Sequence, residues 1–482
     1  MIEIEGAKLE AIIYRDMNHA TVKIAILGAG ISGLASAFWL DRKGFEITIL
    51  ESKNEPGGSM VTRREDGFLI DYGPNSGLET TPLIGKIVEQ VGLKGEMIYA
   101  SGKATKRYIL RNSQLHALPT HPVAFLKTKL FSPKAKLRLL AEPFSKKSHE
   151  GYYQSISEFV KRRLGPEFLD YAVNPFVAGI FAGNPDKLSV KSALPKLYRL
   201  EELYGGLFKG LILGAKERKK RPEQSKQSAR MFSFKNGMQS FPEAIAAKLG
   251  EKIRYNSKVE RVVTSGAKFK VLFSHNHKTE EIITDVVLSA VPAYHAASIF
   301  NDRENKLHGH LNDIYYPPVK VLYLGFRKAV VGQNLDGFGF LIPEKENKTF
   351  LGAIWSSTIF PLRANDDMAA FTLFIGGARS PELFDNGNET HLDTVIKEFK
   401  EIMNIGEDPV FIKEKMWPKA IPQYRLGYIE HERYFETFES NNPGIFLSGN
   451  YRGGISVGDC IKNSELTVKR ICEYINRGTT RR

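Results

Sequence analysis

Apolar residues follow three rhythms along this chain. The first is continuous. VKIAIL at residues 22–27 is apolar at all but one position, the pattern of a strand covered on both faces of a parallel sheet. A helical run continues through Lys43, with Ala35, Phe38, Trp39 and Leu40 as its packed face, and Ile47–Leu50 predicts a second strand ending at Glu51. The same style returns at the far end, where Ile445–Leu447 predicts a short strand. A helix over Ile461–Ile475 follows, with Ile461, Val468, Ile471 and Ile475 facing inward.

The second rhythm is alternation. Strands are predicted at Phe68–Asp71, Val259–Val263, Phe269–Phe273 and Asp285–Ser289, and a hairpin pairs Arg107–Leu110 with Gln114–Leu118. Pro318–Phe326, Phe350–Trp355 and Phe371–Gly376 alternate aromatics as strands of one antiparallel sheet do. Helices are predicted at Pro82–Leu93, Ser157–Leu169 (capped by Ser155 or Ser157), from Pro242, and over Leu392–Met403.

The third rhythm sets apolar residues among lysines. From Pro122 to Phe144, Phe125, Leu126, Leu130, Phe131, Leu137, Leu139, Leu140 and Phe144 share the segment with basic residues, and apolar Leu200–Ala215 stops at the basic run Lys216–Arg221. Net charge is +14, concentrated in residues 101–150 and 214–230. Apolar faces beside lysine clusters suit an anionic membrane surface, where lysine stems lie on apolar ground and their heads stay wet. A helical subdomain packed on itself fits the same pattern. No nucleic-acid motif accompanies the basic segments.

Composition narrows the class. With 482 residues, 42% hydrophobic and 25% charged, this is a folded protein of two or three domains. No apolar run approaches membrane-spanning length. Residues 1–20 hold Glu3, Glu5, Glu10 and Asp16 and read as an extension, not a secretory leader. Cys460 and Cys472 match neither a disulfide framework nor a metal motif, so a reducing, cytoplasmic setting is expected. His275/His277 and His308/His310 are H-x-H pairs without further ligands, and no metal is expected.

The chemistry-bearing signal sits between the first two strands. Gly28, Gly30 and Gly33 have the spacing G-x-G-x-x-G, and Glu51 stands where an acid would hydrogen-bond a ribose. The glycines alone leave NAD and FAD open. Gly57-Gly58 follows within one short loop. At the far end SGNYRGGISVGD makes a second glycine-rich strand-to-helix turn, with the Val457–Asp459 amides at the helix N-terminus. A grip at each end of the chain suits one long cofactor, and FAD fits better than NAD.

These stretches also carry a resemblance. GAGISGLASAFWL at 28–40, the Gly57-Gly58 loop, AVPAY at 290–294 and GNYRGGISVGDCI at 449–461 are similar to the FAD-dependent amine oxidase and phytoene desaturase superfamily. Within it, RRLGPEFLDYAVNPFVAGIFAGNPDKLS, SFKNGMQSFPEAIA, GFGFLIP with FIGGAR, and KAIPQYRLGY resemble the oxygen-dependent protoporphyrinogen oxidases. The likeness runs from about Val22 to Tyr474. It implies an α/β fold with a Rossmann-like FAD-binding domain assembled from residues 21–97, 231–300 and 440–482. A mixed-sheet substrate domain (98–121 and 301–439) and a helical, basic, membrane-associated subdomain (122–230) complete the layout.

The implied reaction is FAD-dependent oxidation of protoporphyrinogen IX to protoporphyrin IX in haem synthesis, with O2 reoxidising the flavin and H2O2 released. Coproporphyrinogen III is the near alternative substrate, and an amine oxidase or carotenoid desaturase the more distant one. A basic membrane- or RNA-binding protein with a vestigial nucleotide fold is the non-enzymatic reading. The resemblance implies that Arg107 pairs a substrate propionate, that Phe338, Leu341 and Phe374 enclose the macrocycle, and that the Gly179 backbone lies near the reacting methylene. Asn75 would lie close to the flavin. Cofactor contacts are expected from Gly28, Gly30, Ile31, Ser32, Gly33, Glu51, Ser52, Gly57, Gly58, Ser59, Gly73, Pro74, Val259, Gly449, Gly454, Val457, Gly458 and Asp459. Ser59 departs from the GGR or GGW common in the superfamily. No side-chain nucleophile is required, and a homodimer is left open as the assembly. The substrate's chemistry asks for the same residue types: an apolar tetrapyrrole bearing carboxylates needs apolar walls and a rim cation, and arginine's planar fork suits a carboxylate.

Overall fold

A computed structural model describes residues 22–214, 229–300, 305–384 and 390–479. The expectations for the N-terminal extension and for Lys216–Arg221 fall outside these residues. The continuous apolar runs form one five-stranded parallel sheet, in the order Ile253–Arg254, Glu46–Leu50, Lys23–Leu27, Val286–Ser289, Ile445–Leu447. Its strands come from four well-separated parts of the sequence.

Burial on both faces explains their composition. Because successive side chains alternate, Ile24, Ile26, Ile47, Ile49, Val286 and Leu288 point one way, to the helices Ile31–Asp41 and Val457–Thr479. Ala25, Leu27, Val287, Ile445 and Leu447 point the other way, to a three-stranded antiparallel sheet. Two strands of that sheet, Ser257–Ser265 and Lys268–His275, match the expected alternation. The third, Lys278–Thr284, was not anticipated, because KTEEIIT carries too many charges to read as a strand without its partner. His275 ends the strand before its hairpin turn, whose two residues Asn276 and His277 adopt positive φ of 48° and 65°.

The alternating aromatic runs build a seven-stranded sheet in the order Phe411–Trp417, Val319–Arg327, Met368–Gly376, Gly352–Ile354, Gly337–Leu341, Lys106–Arg111, Gln114–Ala117. The three strands expected to be antiparallel are so. One parallel pair, Gly337–Leu341 with Lys106–Arg111, makes the sheet mixed. Its far face, with Leu110, Phe340, Leu322, Phe371 and Leu373, packs on Val395 and Phe399 of helix Thr390–Met403. The near face turns toward the parallel-sheet region.

Residues 122–213 fold as short helices. The helix expected over Ser157–Leu169 ends at Arg163, because Gly165 takes φ +95° and Pro166 starts a new turn. Its N-cap is Ser155, in a capping box with Glu158. A buried ionic cluster ties the region together. Arg163 bonds Glu201 (2.6 Å) and Glu142 (3.2 Å), all three side chains being at most 1% exposed. Among the described residues no helix is long and apolar enough to cross a membrane.

Candidate cofactor and substrate site

The first glycine turn is closed by backbone bonds. Gly28 N–H donates to the Leu50 carbonyl at 2.9 Å, which brings the end of the second strand against the turn. A Cβ on Gly33 would run into the Gly28 carbonyl oxygen, so the helix can approach the strand this closely only with glycine there. Ile31 and Ser32 begin the helix. Glu51 is 6% exposed, and its carboxylate accepts from Ala29 N–H (2.7 Å), Lys53 N–H (2.9 Å) and Ser52 Oγ (3.2 Å). It therefore sits at the mouth of the turn and not on the outside of the strand.

The second glycine pair joins the same place. Gly57 N–H donates to Ala29 O at 2.9 Å, and a Cβ on Gly58 would lie 3.3 Å from Gly30 Cα. Gly73, followed by Pro74, packs so tightly on the Ser59 carbonyl that a Cβ there would collide with it. Val259 lies two positions beyond Ser257, whose N–H donates to the Glu51 carbonyl at 2.7 Å.

The C-terminal turn arrives from the opposite end of the sequence. Ser456 Oγ donates to Asp459 Oδ2 (2.6 Å) and accepts the Asp459 N–H (3.2 Å), capping the helix that holds Val457 and Gly458. Ser464 Oγ donates to Ser32 O at 2.9 Å, so the two helix starts lie side by side. Val291 lies between the turns: its Cγ1 would be 3.0 Å from a Cβ on Gly28, and its carbonyl 3.7 Å from one on Gly449. Nothing in its own residue type marks Val291. Its signal was positional, since AVPAY leaves the carboxyl end of a parallel strand where ligands bind.

Across from these loops lies the near face of the mixed sheet. Direct cross-strand partners share a face, so the register Val321, Phe374, Gly352, Leu341, Ile109 is one row across five strands. The neighbouring row runs Tyr323, Thr372, Ile354, Gly339, Arg107. Leu341 and Phe374 are half-buried, and a Cβ on Gly179 would touch Leu341 Cδ2 at 2.6 Å. Helix Asn174–Phe181 thus covers Leu341 with its one side-chain-free position.

Phe338 is the extra residue of a bulge between Gly337 and Gly339, which swings its ring beneath exposed Arg107 at 5.6 Å. Asn75 Nδ2 reaches Thr372 Oγ1 at 3.4 Å, joining the Gly73–Asn75 loop to the sheet. Arg107 and Phe374 are three strand spacings apart, about 14 Å, so a largely apolar sheet face lies between a cation and the Gly73–Asn75 loop.

The family model for flavin containing amine oxidoreductase matches residues 31–472. The chain belongs to this family. Protoporphyrinogen oxidase 2 (chloroplastic/mitochondrial) of Arabidopsis thaliana is 32% identical over 485 residues, covering 94% of each protein. Coproporphyrinogen III oxidase of Bacillus subtilis (strain 168) is 27% identical over 484 residues, covering 95% of this chain and 100% of that protein. A crystal structure of a protein from Exiguobacterium sp. 255-15 superposes with TM-score 0.77 at 22% identity, over 94% of this chain and 98% of that one. That last likeness shows the fold.

The protein is therefore a flavin oxidoreductase, and its cofactor is FAD. The residues present fit it. The turn at Gly28–Gly33 would receive a pyrophosphate at a helix start, Glu51 would offer a buried carboxylate to ribose hydroxyls, and the capped start at Val457–Asp459 would present amide dipoles to an electron-rich ring. The H-x-H pairs take other work. Ser257 Oγ lies 3.0 Å from His275 Nδ1, and His308 Nδ1 lies 3.2 Å from the Ala297 carbonyl. Among the described residues no group of three or more His, Cys, Asp or Glu side chains is placed to hold a metal.

Proposed function

We propose that the protein oxidises a porphyrinogen to a porphyrin in haem synthesis, with protoporphyrinogen IX as its substrate. The observation that carries this is the near face of the mixed sheet. Leu341, Phe374 and the Gly179 helix make apolar walls, and exposed Arg107 stands at the rim with Phe338 and no carboxylate partner among the described residues. Neighbouring cations differ. Lys106 is paired with Asp336, Arg111 with Glu167 and Lys345 with Asp170. One unpaired rim arginine suits a substrate whose two propionates sit on one edge of the ring, and the Arabidopsis relative's name agrees. A substrate with four propionates spread round the ring, as in the Bacillus relative's name, would call for more.

Bound FAD supplies the hydride acceptor, with O2 as the final oxidant and H2O2 as its product. The chain's own residues bind and orient. Arg107 holds a carboxylate, the apolar rows exclude water from the ring, and Gly179 lets Leu341 lie close against the helix as part of that wall. Asn75 would stand beside the flavin, fixed through Thr372, whose Oγ1 lies 2.8 Å from Ser356 Oγ. No acid, base or nucleophile is assigned.

The setting is an anionic lipid surface. Leu126, Leu137 and Leu140 are 67%, 68% and 67% exposed, Phe144 88% and Ile212 75%, all beside lysines of the helical region. Such a set of large apolar side chains in water is unusual for a free surface.

The test is aerobic turnover of each porphyrinogen, followed by porphyrin fluorescence and peroxide release. Protoporphyrinogen IX should be preferred. Preference for coproporphyrinogen III would move the assignment to the alternative, and an FAD-loaded protein inactive on both would end it. Flotation with anionic liposomes at low and high salt tests the surface, and absence from the lipid fraction at low salt would remove it.

A further inference from the structure

The glycine-rich loop 449–456 has little of its own to hold its shape. Gly449 and Gly454 take φ of +130° and +135°, a region open to glycine, and the loop crosses from strand to helix without a sheet partner. Two of its anchors are internal to the C-terminal segment: Arg452 N–H donates to Gly449 O (3.0 Å), and Asn463 Nδ2 to Arg452 O (2.7 Å).

Glu439 of helix Tyr428–Asn441 accepts from the Arg452 side chain at 2.7 Å, Ser456 is tied to Asp459 at the helix cap, and further anchors come from IPQYRLGY. Tyr424 Oη accepts the Gly454 N–H at 2.8 Å and donates to the Asn450 carbonyl at 2.7 Å, so one phenol bridges both limbs of the loop. Tyr428 Oη donates to Tyr451 O at 2.6 Å. Both tyrosines are at most 4% exposed, and burial pushes both phenols well above their ordinary range, so they stay neutral donors.

The same short segment grips the substrate side. Gln423 Nε2 donates to Phe181 O at 2.7 Å, at the end of the helix that carries Gly179. Ser189 N–H donates to Tyr424 O (2.9 Å), and Leu426 N–H to Lys187 O (3.0 Å). Loop and helix thus share one anchor.

We propose that Tyr424 is a positioning residue for the cofactor: its phenol holds loop 449–456 in the FAD-binding shape and links that loop to the segment 181–189 behind the Gly179 helix. This rests on FAD as the cofactor and is independent of which substrate is oxidised. Apoprotein titrated with FAD, read by flavin fluorescence quenching and the shape of the bound-flavin absorbance band, tests it. Tyr424→Phe should bind FAD roughly ten-fold more weakly, the scale of losing buried hydrogen bonds without losing the ring, and should alter the band. Tyr428→Phe should show a smaller loss. Tyr198→Phe, a buried tyrosine of the helical region, should match wild type.

FAD added to the wild-type apoprotein should slow amide exchange at Ser189 and Leu426, and Tyr424→Phe should lose that protection. Wild-type affinity and band shape in Tyr424→Phe would overturn the proposal, as would equal protection in both proteins. If Tyr424→Phe does not fold, Tyr428→Phe carries the test, and wild-type FAD affinity there overturns it.

Discussion

Replacing Arg163 by Leu tests what holds the basic helical region in one shape. The arginine is fully enclosed. Its Nε donates to Glu201 Oε2 (2.6 Å), Nη1 to Glu142 Oε1 (3.2 Å) and Ser145 O (3.1 Å), and Nη2 to Gly205 O (2.8 Å). Leucine fills part of the space and leaves Glu142, at 0% exposure, with only the Leu207 and Phe208 N–H groups, at 2.7 and 3.1 Å, among the described residues. Glu201 keeps Arg162 and the Ser148 N–H. Removing one partner of a buried pair costs about 3–5 kcal/mol, because the other charge stays buried without it. The loss is local, so the readout is limited proteolysis below the global melting temperature, with new cleavage between residues 141 and 155 or near Gly205.

Acid adds a second signature. Burial raises the Glu201 carboxyl, but hydrogen bonds from Arg163, the Ser148 N–H and Arg162 outweigh it and hold the group below its ordinary value. A lowered folded-state pKa gives stability that is present above the unfolded value, about 4.3, and is lost as pH falls through the folded one. Without Arg163 that folded value rises, so the acid transition should begin at higher pH. Unchanged proteolysis and an unchanged acid midpoint would refute the reasoning.

Arg107→Ala should raise KM for the porphyrinogen about 10- to 100-fold, the scale of a lost charge-assisted hydrogen bond, and leave FAD affinity alone. Equal KM in steady-state assays would remove Arg107 from the site. Glu51→Ala should weaken FAD binding at least ten-fold in apoprotein titration, with Glu51→Gln in between because its amide oxygen can still accept from Ala29. Gly179→Leu should raise KM without lowering the melting temperature much, since the flexible end of Leu341 can give way while the cavity narrows; a large stability loss with normal KM would make Gly179 a packing residue only.

Several elements were legible because their cause is local. VKIAIL and ITIL are apolar on both faces, which only a doubly covered strand requires, and Glu51 follows at the position a ribose acid needs. The strand Lys278–Thr284 was not legible, because its charges are tolerated only at the edge of a sheet whose other strands supply the pairing. The break at Gly165 was written in the sequence as Gly-Pro, but helical periodicity ran across it.

The sequence alone determined a dinucleotide-binding turn, since glycine spacing and strand pattern are set by backbone sterics within a few residues, and a second glycine-rich turn at the far end favoured FAD. It also marked Arg107, Leu341, Phe374 and Gly179 singly. Only the tertiary structure set the bulged Phe338 beneath Arg107 of the neighbouring strand, laid Leu341 and Phe374 on one row, and set Gly179 over Leu341. Cross-strand register and helix docking are fixed by packing between distant segments, and no short window of sequence contains them.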